Sequence, residues 1–337
     1  MNDYKAEYQE TLPDKKVKCH LCPHYCVICE GKSGLCRTRI NIEGTLFAQS
    51  YGKICSIGLD PIEKKPLYHY YPGSKIFSVA TSGCNLRCLN CQNWEISQFS
   101  PDENRYNYLK PAEIAGLAKR YGSDGIAFTY TEPTVFYEYM MEICAVSKEL
   151  GLRNVIISNG YINPEPLKTL SEYIDAANID LKCFDENVYK KLTGASLKPV
   201  LDTLLMLKEK GVWLEITNLL VPGYSDELKM IEKMAFWLVE NGFAETPIHF
   251  SRFFPTHKLA DLNPTTTQSV IDAVNIAVES GMKFVYTGNM SGKGVENTVC
   301  PVCKHILVQR HGYDVSMKDL TDGACPVCGK LIPGIWD

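Results

Sequence analysis

The chain has 337 residues, 45% of them hydrophobic and 22% charged, with a net charge of -4 at pH 7. That length allows one large domain with small satellites and a core that buries about three quarters of the unfolded surface. The balance excludes the strongly basic classes that bind nucleic acid or acidic membranes, no apolar run reaches the ~18 residues of a membrane span, and the polar, acidic start is no signal peptide.

Residues 1–50 read as a Cys-rich metal-binding module. Cys19, Cys22, Cys26, Cys29 and Cys36 crowd between residues 15 and 50, with His20 and His24 among them. Gly31, Gly34 and Gly44 supply turns. No amphipathic helix or long strand offers a core, so a metal is expected to hold the segment together. Zinc and an auxiliary iron–sulfur cluster both accept four thiolates, and a cluster is the preferred reading. The histidines read as exposed loop residues. Fifteen cysteines in C-x2-C and C-x3-C groups, without a signal peptide, point to metal sites in a reducing cytoplasm.

Residues 51–290 alternate strand and helix. Strands are expected at 76–80, 125–129, 154–158, 177–181, 212–220, 247–253 and 283–286. Helices are expected at 110–121, 134–150, 164–173, 186–192, 199–210, 225–241 and 267–280, with Ser225 as a cap. Strict alternation implies a parallel sheet. Nearly every strand ends in a polar group: Cys84, Glu132, Asn159, Lys182, Asn218 and Arg252. A barrel gathers such ends around one mouth, whereas a doubly wound sheet uses one switch point. The expected fold is therefore α/β, a partial (βα)6-type TIM barrel. Cys55, Cys144 and Cys183 are isolated and read as small buried apolar residues.

Residues 291–337 form a four-Cys module. The knuckles Cys300-Pro-Val-Cys303 and Cys325-Pro-Val-Cys328 predict one four-thiolate site, zinc-ribbon-like or rubredoxin-like, holding zinc or else mononuclear iron. The glycines Gly288, Gly292 and Gly294 before it lack a phosphate loop's lysine-serine ending and read as a flexible connector.

The chemistry centres on Ser82-Gly-Cys-Asn-Leu-Arg-Cys-Leu-Asn-Cys-Gln-Asn93, where Cys84, Cys88 and Cys91 stand at C-x3-C-x2-C. Four-iron clusters normally take four cysteines. Three thiolates leave one iron an open position, as a catalytic metal needs. The competing readings are a partial zinc site and three unrelated core cysteines.

This loop after an apolar strand resembles the cluster loop of radical S-adenosylmethionine (SAM) enzymes. With Tyr71-Pro72-Gly73-Ser74 and Cys91-Gln92-Asn93-Trp94, the chain resembles the branch related to pyruvate formate-lyase activating enzymes, and within it the radical SAM proteins of AmmeMemoRadiSam systems. The residue before the third cysteine is usually aromatic in the family; here it is Asn90. The resemblance implies a [4Fe-4S] cluster on Cys84, Cys88 and Cys91, reductive cleavage of SAM to a 5′-deoxyadenosyl radical, and hydrogen abstraction from a substrate. It also implies an electron donor such as flavodoxin or ferredoxin, and partner proteins of the same system. Cys19, Cys22, Cys26 and Cys36 match family cysteines, which leaves Cys29 spare.

By the same resemblance, Tyr130, Thr131 and Glu132 hold the SAM amino group, with a strand-end glutamate capping the next helix as the alternative for Glu132. Ser158 and Asn159 match a SAM-contact loop, in which Gly160 permits close approach. Asp180 and Lys182 share one strand face, and two inward charges there need a ligand or each other. Glu215, with Thr217, repeats that geometry on the next strand. His249 is assigned to SAM and Arg252 to a substrate carboxylate or phosphate. Three functions compete: abstraction from a small molecule or peptide, activation of a glycyl-radical partner enzyme, and plain electron transfer by a multi-cluster protein.

Overall fold

The computed structural model describes residues 4–290, 295–317, 320 and 322–336. Seven parallel strands form its centre: β1 (Lys75–Thr81), β2 (Gly125–Phe128), β3 (Arg153–Ser158), β4 (Ala176–Asp180), β5 (Trp213–Leu220), β6 (Ile248–Arg252) and β7 (Val285–Gly288). They lie side by side in chain order. Beyond β1 the sheet continues through Lys53–Pro61, antiparallel to β1, and Asn107–Tyr108, antiparallel to Lys53–Pro61, to make nine strands. The nine-residue Lys53–Pro61 strand was not expected from the sequence, because its exposed Ile57 and Leu59 interrupt a simple alternation.

Helices connect the parallel strands: α1 (Pro111–Arg120), α2 (Tyr137–Glu149), α3 (Pro164–Ser171), α4 (Glu186–Thr193), α5 (Lys198–Glu209), α6 (Leu228–Glu240) and α7 (Thr267–Glu279). The parallel strands are buried almost throughout, as in sheets covered on both faces. Ser225 does not cap α6; that position falls to Glu227. The Ser225 hydroxyl instead donates to Leu219 O at 2.6 Å and accepts from Val221 N at 2.8 Å, closing the turn after β5. Gly292 and Gly294 lie outside the described residues. No helix among the described residues is long and apolar enough to cross a membrane.

The N-terminal segment contains two small antiparallel sheets, one of Gln9–Thr11, Val17–Cys19 and Val27–Ile28, the other of Arg39–Ile42 and Thr45–Ala48. Their apolar residues, including Val17, Leu21, Ile28 and Leu46, join the main core beside Tyr137 and Met140 of α2. A buried ion pair fastens the contact. Arg39, 1% exposed, bonds the Glu138 carboxylate of α2 and donates to Glu7 O at 2.7 Å.

The C-terminal segment forms a three-stranded antiparallel sheet, Thr298–Val299, Ile306–His311 and Asp314–Met317. It packs on Tyr68, Phe284 and Tyr286. Buried Arg310 donates to Tyr68 O at 2.5 Å and Thr298 Oγ1 at 2.9 Å. His69, fully buried, donates from Nδ1 to Pro333 O at 2.6 Å and accepts at Nε2 from the Tyr286 hydroxyl at 2.6 Å.

Burial holds His69 neutral and lowers its pKa to about 4, although Glu215 pulls the other way. An unfolded histidine titrates near 6.5. The stability that neutral His69 contributes is therefore complete above pH 6.5 and is lost as pH falls toward 4, on the order of 3 kcal/mol in all. Thermal unfolding should show a falling midpoint between pH 7 and 5. In His69→Gln the midpoint at pH 7 should be lower and the decline shallower; an unchanged slope would remove His69 from the account.

Candidate active site

The loop after β1 is held by backbone bonds before any metal is considered. Gly83 N donates to Ile96 O at 2.9 Å, Arg87 N to Thr193 O at 2.8 Å and Leu89 N to Leu192 O at 2.9 Å. The last two tie the loop to the end of α4. Leu86 N donates to Cys84 Sγ at 3.3 Å, and Cys91 Sγ lies 3.1 Å from Ser97 Oγ. Cys84, Cys88 and Cys91 thereby line one cavity of about 250 Å³ at the C-terminal ends of the strands. Burial pushes the Cys84 thiol well up and Cys88 to about 12, with Lys182 opposing the shift at Cys88. A bound metal deprotonates such thiols outright.

Tyr130, Thr131, Glu132, Asn159, Asp180 and Lys182 line the same cavity. Lys182 Nζ donates to Asp180 Oδ2 at 2.7 Å, so the two charges pair at the rim. Burial works against the Lys182 charge, but Asp180 and Cys88 outweigh it and raise its pKa. Tyr130 adopts a left-handed backbone, φ 65°. Its hydroxyl bonds Asp60, and Lys65 lies 4.4 Å above its ring. Lys65 also donates to Asp60 at 2.7 Å, and burial lowers its pKa to about 8. Asp60 carried no signal in the sequence as a support for Tyr130, since the two lie 70 positions apart.

Glu132 caps the turn Pro133–Phe136 that opens α2. Its carboxylate accepts from Thr134 N (3.0 Å), Thr134 Oγ1 (2.7 Å), Ser158 Oγ (2.8 Å) and Asn159 N (2.8 Å). Burial raises its pKa and these four bonds oppose the rise. Three of these donors bond Oε1 and one bonds Oε2, so Oε2 keeps capacity for a further donor. The capping contact expected of Glu132 is present, and Glu132 also lines the cavity. Ser158 is spent on Glu132 and does not line the cavity. Gly160 has φ 68°, and a Cβ there would stand 3.0 Å from Ile179, so the Ser158-Asn159-Gly160 turn closes tightly against β4.

Three expected residues point elsewhere. Glu215 is fully buried and accepts from Tyr68 N at 2.9 Å, His69 N at 2.7 Å, Trp213 Nε1 at 3.2 Å and His249 Nε2 at 2.7 Å. Neither Glu215 nor His249 lines the cysteine cavity. Arg252 donates from Nε to Thr265 O at 2.6 Å and lies over Phe254, outside both this cavity and its neighbour. Conversely, Thr217, Ser251 and Asn289 do line the cavity. Asn90, which replaces the usual aromatic, is buried, and its Oδ1 has no partner among the described residues. That orphaned acceptor fits a bound nucleoside that brings a donor.

In the tail, Cys300, Cys303, Cys325 and Cys328 lie with their sulfurs within 4.8 Å of one another. The pairs Cys300–Cys328 and Cys303–Cys325 are each 3.5 Å apart. A tetrahedral ion with metal–sulfur bonds of ~2.3 Å needs sulfurs ~3.8 Å apart, so this set fits a single ion.

Replacing Glu132 with Gln removes the charge and turns an amide NH2 toward donors. We expect a loss of about 2–4 kcal/mol in denaturant unfolding. A loss below about 0.5 kcal/mol would show that the four bonds are not needed.

The family model of the Radical SAM superfamily matches residues 78–237. An uncharacterized protein of Methanocaldococcus jannaschii is 47% identical over 330 residues, 97% of this chain and 98% of its own. The pyruvate formate-lyase-activating enzyme of Clostridium pasteurianum is 26% identical over 156 residues, 45% of this chain and 65% of that enzyme. A radical SAM methyltransferase from Sphaerobacter thermophilus, solved as a crystal structure, shares the fold with TM-score 0.51 and 13% identity, over 65% of this chain and 67% of that one. The match begins inside β1 and carries the cysteine loop with it, so the chain belongs to the radical SAM superfamily, as an enzyme related to the pyruvate formate-lyase-activating enzymes.

Proposed function

We propose that this enzyme abstracts hydrogen from a small-molecule or peptide substrate. The observation that carries the reading is the meeting of three thiols and a charged pair in one cavity at the strand ends. Cys84, Cys88 and Cys91 would hold a [4Fe-4S] cluster and leave its fourth position to a small ligand. When bound, the cluster and SAM supply a 5′-deoxyadenosyl radical; the remaining work is done by the chain.

Asp180 and Lys182 present opposite charges to the amino-acid end of SAM, whose own groups are an ammonium and a carboxylate. Asn159 adds an amide 3.7 Å from Cys84 Sγ. Tyr130, Thr131 and Glu132 form the facing wall. Glu132 acts there through position, because its donors fix the backbone of both loops. Asn90 Oδ1 accepts from the nucleoside. Glu215 and His249 are positioning residues one layer away. The sequential strand order supports a partial barrel, because right-handed crossovers between neighbouring strands put all helices on one face.

A small substrate is favoured by a second cavity of about 680 Å³, a size usual for ligand sites, which shares Ser251 and Asn289 with the first. Lys64, His249, Thr287 and Glu296 give it polar walls. The activating-enzyme relative favours the alternative, radical transfer to a glycine of a partner protein. The tail thiols suit zinc. A flavodoxin or ferredoxin is the natural donor class, and eleven cysteines in metal-binding spacing favour the cytoplasm.

Anaerobic protein reduced with dithionite and given SAM should release 5′-deoxyadenosine, and a Cys84/Cys88/Cys91→Ala triple variant should release none. Equal release by both, or SAM binding by neither, would sink the reading and leave a plain electron carrier. Lys182→Met should weaken SAM binding about 10- to 100-fold in equilibrium dialysis, the ~1.4–3 kcal/mol of a charge-assisted contact.

A further inference from the structure

Cys19, Cys22, Cys26 and Cys36 line a third, narrow, almost wholly apolar cavity between the N-terminal sheets and β1's loop. Thiols alone do not explain its walls. Arg39 lines it, is 1% exposed, and carries an Nε with no partner among the described residues. Its Nη1 lies 3.9 Å from Cys19 Sγ, and Thr38 donates to Cys36 Sγ at 3.2 Å. The Arg39 charge is already paired with Glu138, but its buried Nε–H beside four thiols still lacks an acceptor, which a group bound in this cavity would supply.

Spacing selects the kind of group. Among the described residues, only the tail set brings three or more ligand atoms within 4.8 Å of one another. No three of the N-terminal sulfurs all lie within 4.8 Å of one another, and neither do those of Cys84, Cys88 and Cys91. A single tetrahedral ion draws sulfurs to ~3.8 Å. A cubane cluster interposes an iron between each thiolate and the centre, so its thiolates stand farther apart.

The cavity also abuts the cysteine loop of the active site. Gly83 has φ 103°, and a Cβ there would lie 2.3 Å from Thr38 Cγ2 and 2.9 Å from Cys36 O. Only glycine lets the residue before Cys84 press against the Cys36 segment. Asn85, the residue after Cys84, lines the N-terminal cavity. Its carbonyl accepts from His24 Nε2 at 2.7 Å, and its side-chain oxygen from Asn159 Nδ2 at 2.9 Å. His24 is thus part of this wall and not a free loop residue. Both neighbours of Cys84 touch the N-terminal ligand segment.

We propose that Cys19, Cys22, Cys26 and Cys36 ligate a second [4Fe-4S] cluster that passes electrons to the one held by Cys84, Cys88 and Cys91. A one-electron donor protein, or dithionite in its place, reduces the N-terminal cluster by one electron. That electron moves to the active-site cluster, the first cluster returns to its oxidised state, and no covalent bond changes. The donors of Arg39 and Thr38 to the Cys19 and Cys36 sulfurs would raise the N-terminal cluster's potential. The relay rests on the radical SAM reading; the ligation does not.

The test is a count of iron, sulfide and zinc in anaerobically isolated full-length protein, with EPR after reduction. The wild type should hold about eight irons, eight sulfides and one zinc. The Cys84/Cys88/Cys91→Ala variant, altered outside the N-terminal cavity, should keep about four of each of the first two. Cys19/Cys22→Ala should keep the other four. Four irons in the wild type, none in the triple variant and a second zinc would overturn the proposal and leave the radical SAM reading intact. Four irons in both would instead place the one cluster at the N-terminus and remove the radical SAM site. Fully reduced wild type should also show a spin-coupled EPR signal absent from the triple variant; a plain sum of two signals would overturn the relay.

Discussion

One carboxylate joins the fold to the site. Glu132 sits where β2 ends, and its oxygens take donors from its own turn and from the loop after β3. Without that carboxylate, Thr134 N and Asn159 N would be buried donors with no partner, at a cost of ~1–3 kcal/mol each. With it, the Asn159 amide is set 3.7 Å from Cys84 Sγ, and Tyr130 lines the same cavity. Tyr130 needs support, because a tyrosine at φ 65° is strained unless its surroundings fix it. The hydroxyl bond to Asp60 and the Lys65 charge over its ring provide the fixing from the antiparallel strand before β1.

The two terminal segments are held to the sheet by buried polar groups. Arg39 with Glu138 fastens the N-terminal sheets, and Arg310, paired with Glu63 at 3.8 Å and bonded to Tyr68 O, fastens the tail, where neutral His69 adds a bond to Pro333 O. Buried charges contribute little net stability compared with apolar packing, yet removing one partner costs ~3–5 kcal/mol. Such pairs therefore fix position. The N-terminal segment is set against both sides of Cys84, and the tail places His311 and Tyr313 on the wall of the second cavity. Each terminal segment thus shapes a chamber of the site.

The strand–helix alternation was legible because parallel strands buried on both faces read as short apolar runs, and because polar residues mark where each strand stops. The cysteine groups were legible from spacing alone. The charges were harder to read. Alternation placed Asp180 and Lys182 on one face, and they do pair at the cavity. The same rule applied to Glu215 failed to place it there, because β5's face meets the Tyr68–His69 backbone at that height, and two N–H groups claim the carboxylate first. Arg252 is one residue past the useful face and is taken by Thr265. Asp60, Lys65 and Asn85 were invisible for a different reason: their partners lie far away in the chain, and no local pattern announces them.

The central claim is that the three-thiolate cluster keeps one iron position open toward Asp180 and Lys182 for the amino-acid end of SAM. The most direct measurement is electron–nuclear double resonance on the reduced protein with SAM labelled by 17O in its carboxylate or 15N in its amino group. The account predicts strong coupling of both labels to the cluster in the wild type, and its loss in Lys182→Met with the cluster intact. An EPR signal from an intact cluster that SAM leaves unchanged, with no coupling from either label, would contradict it.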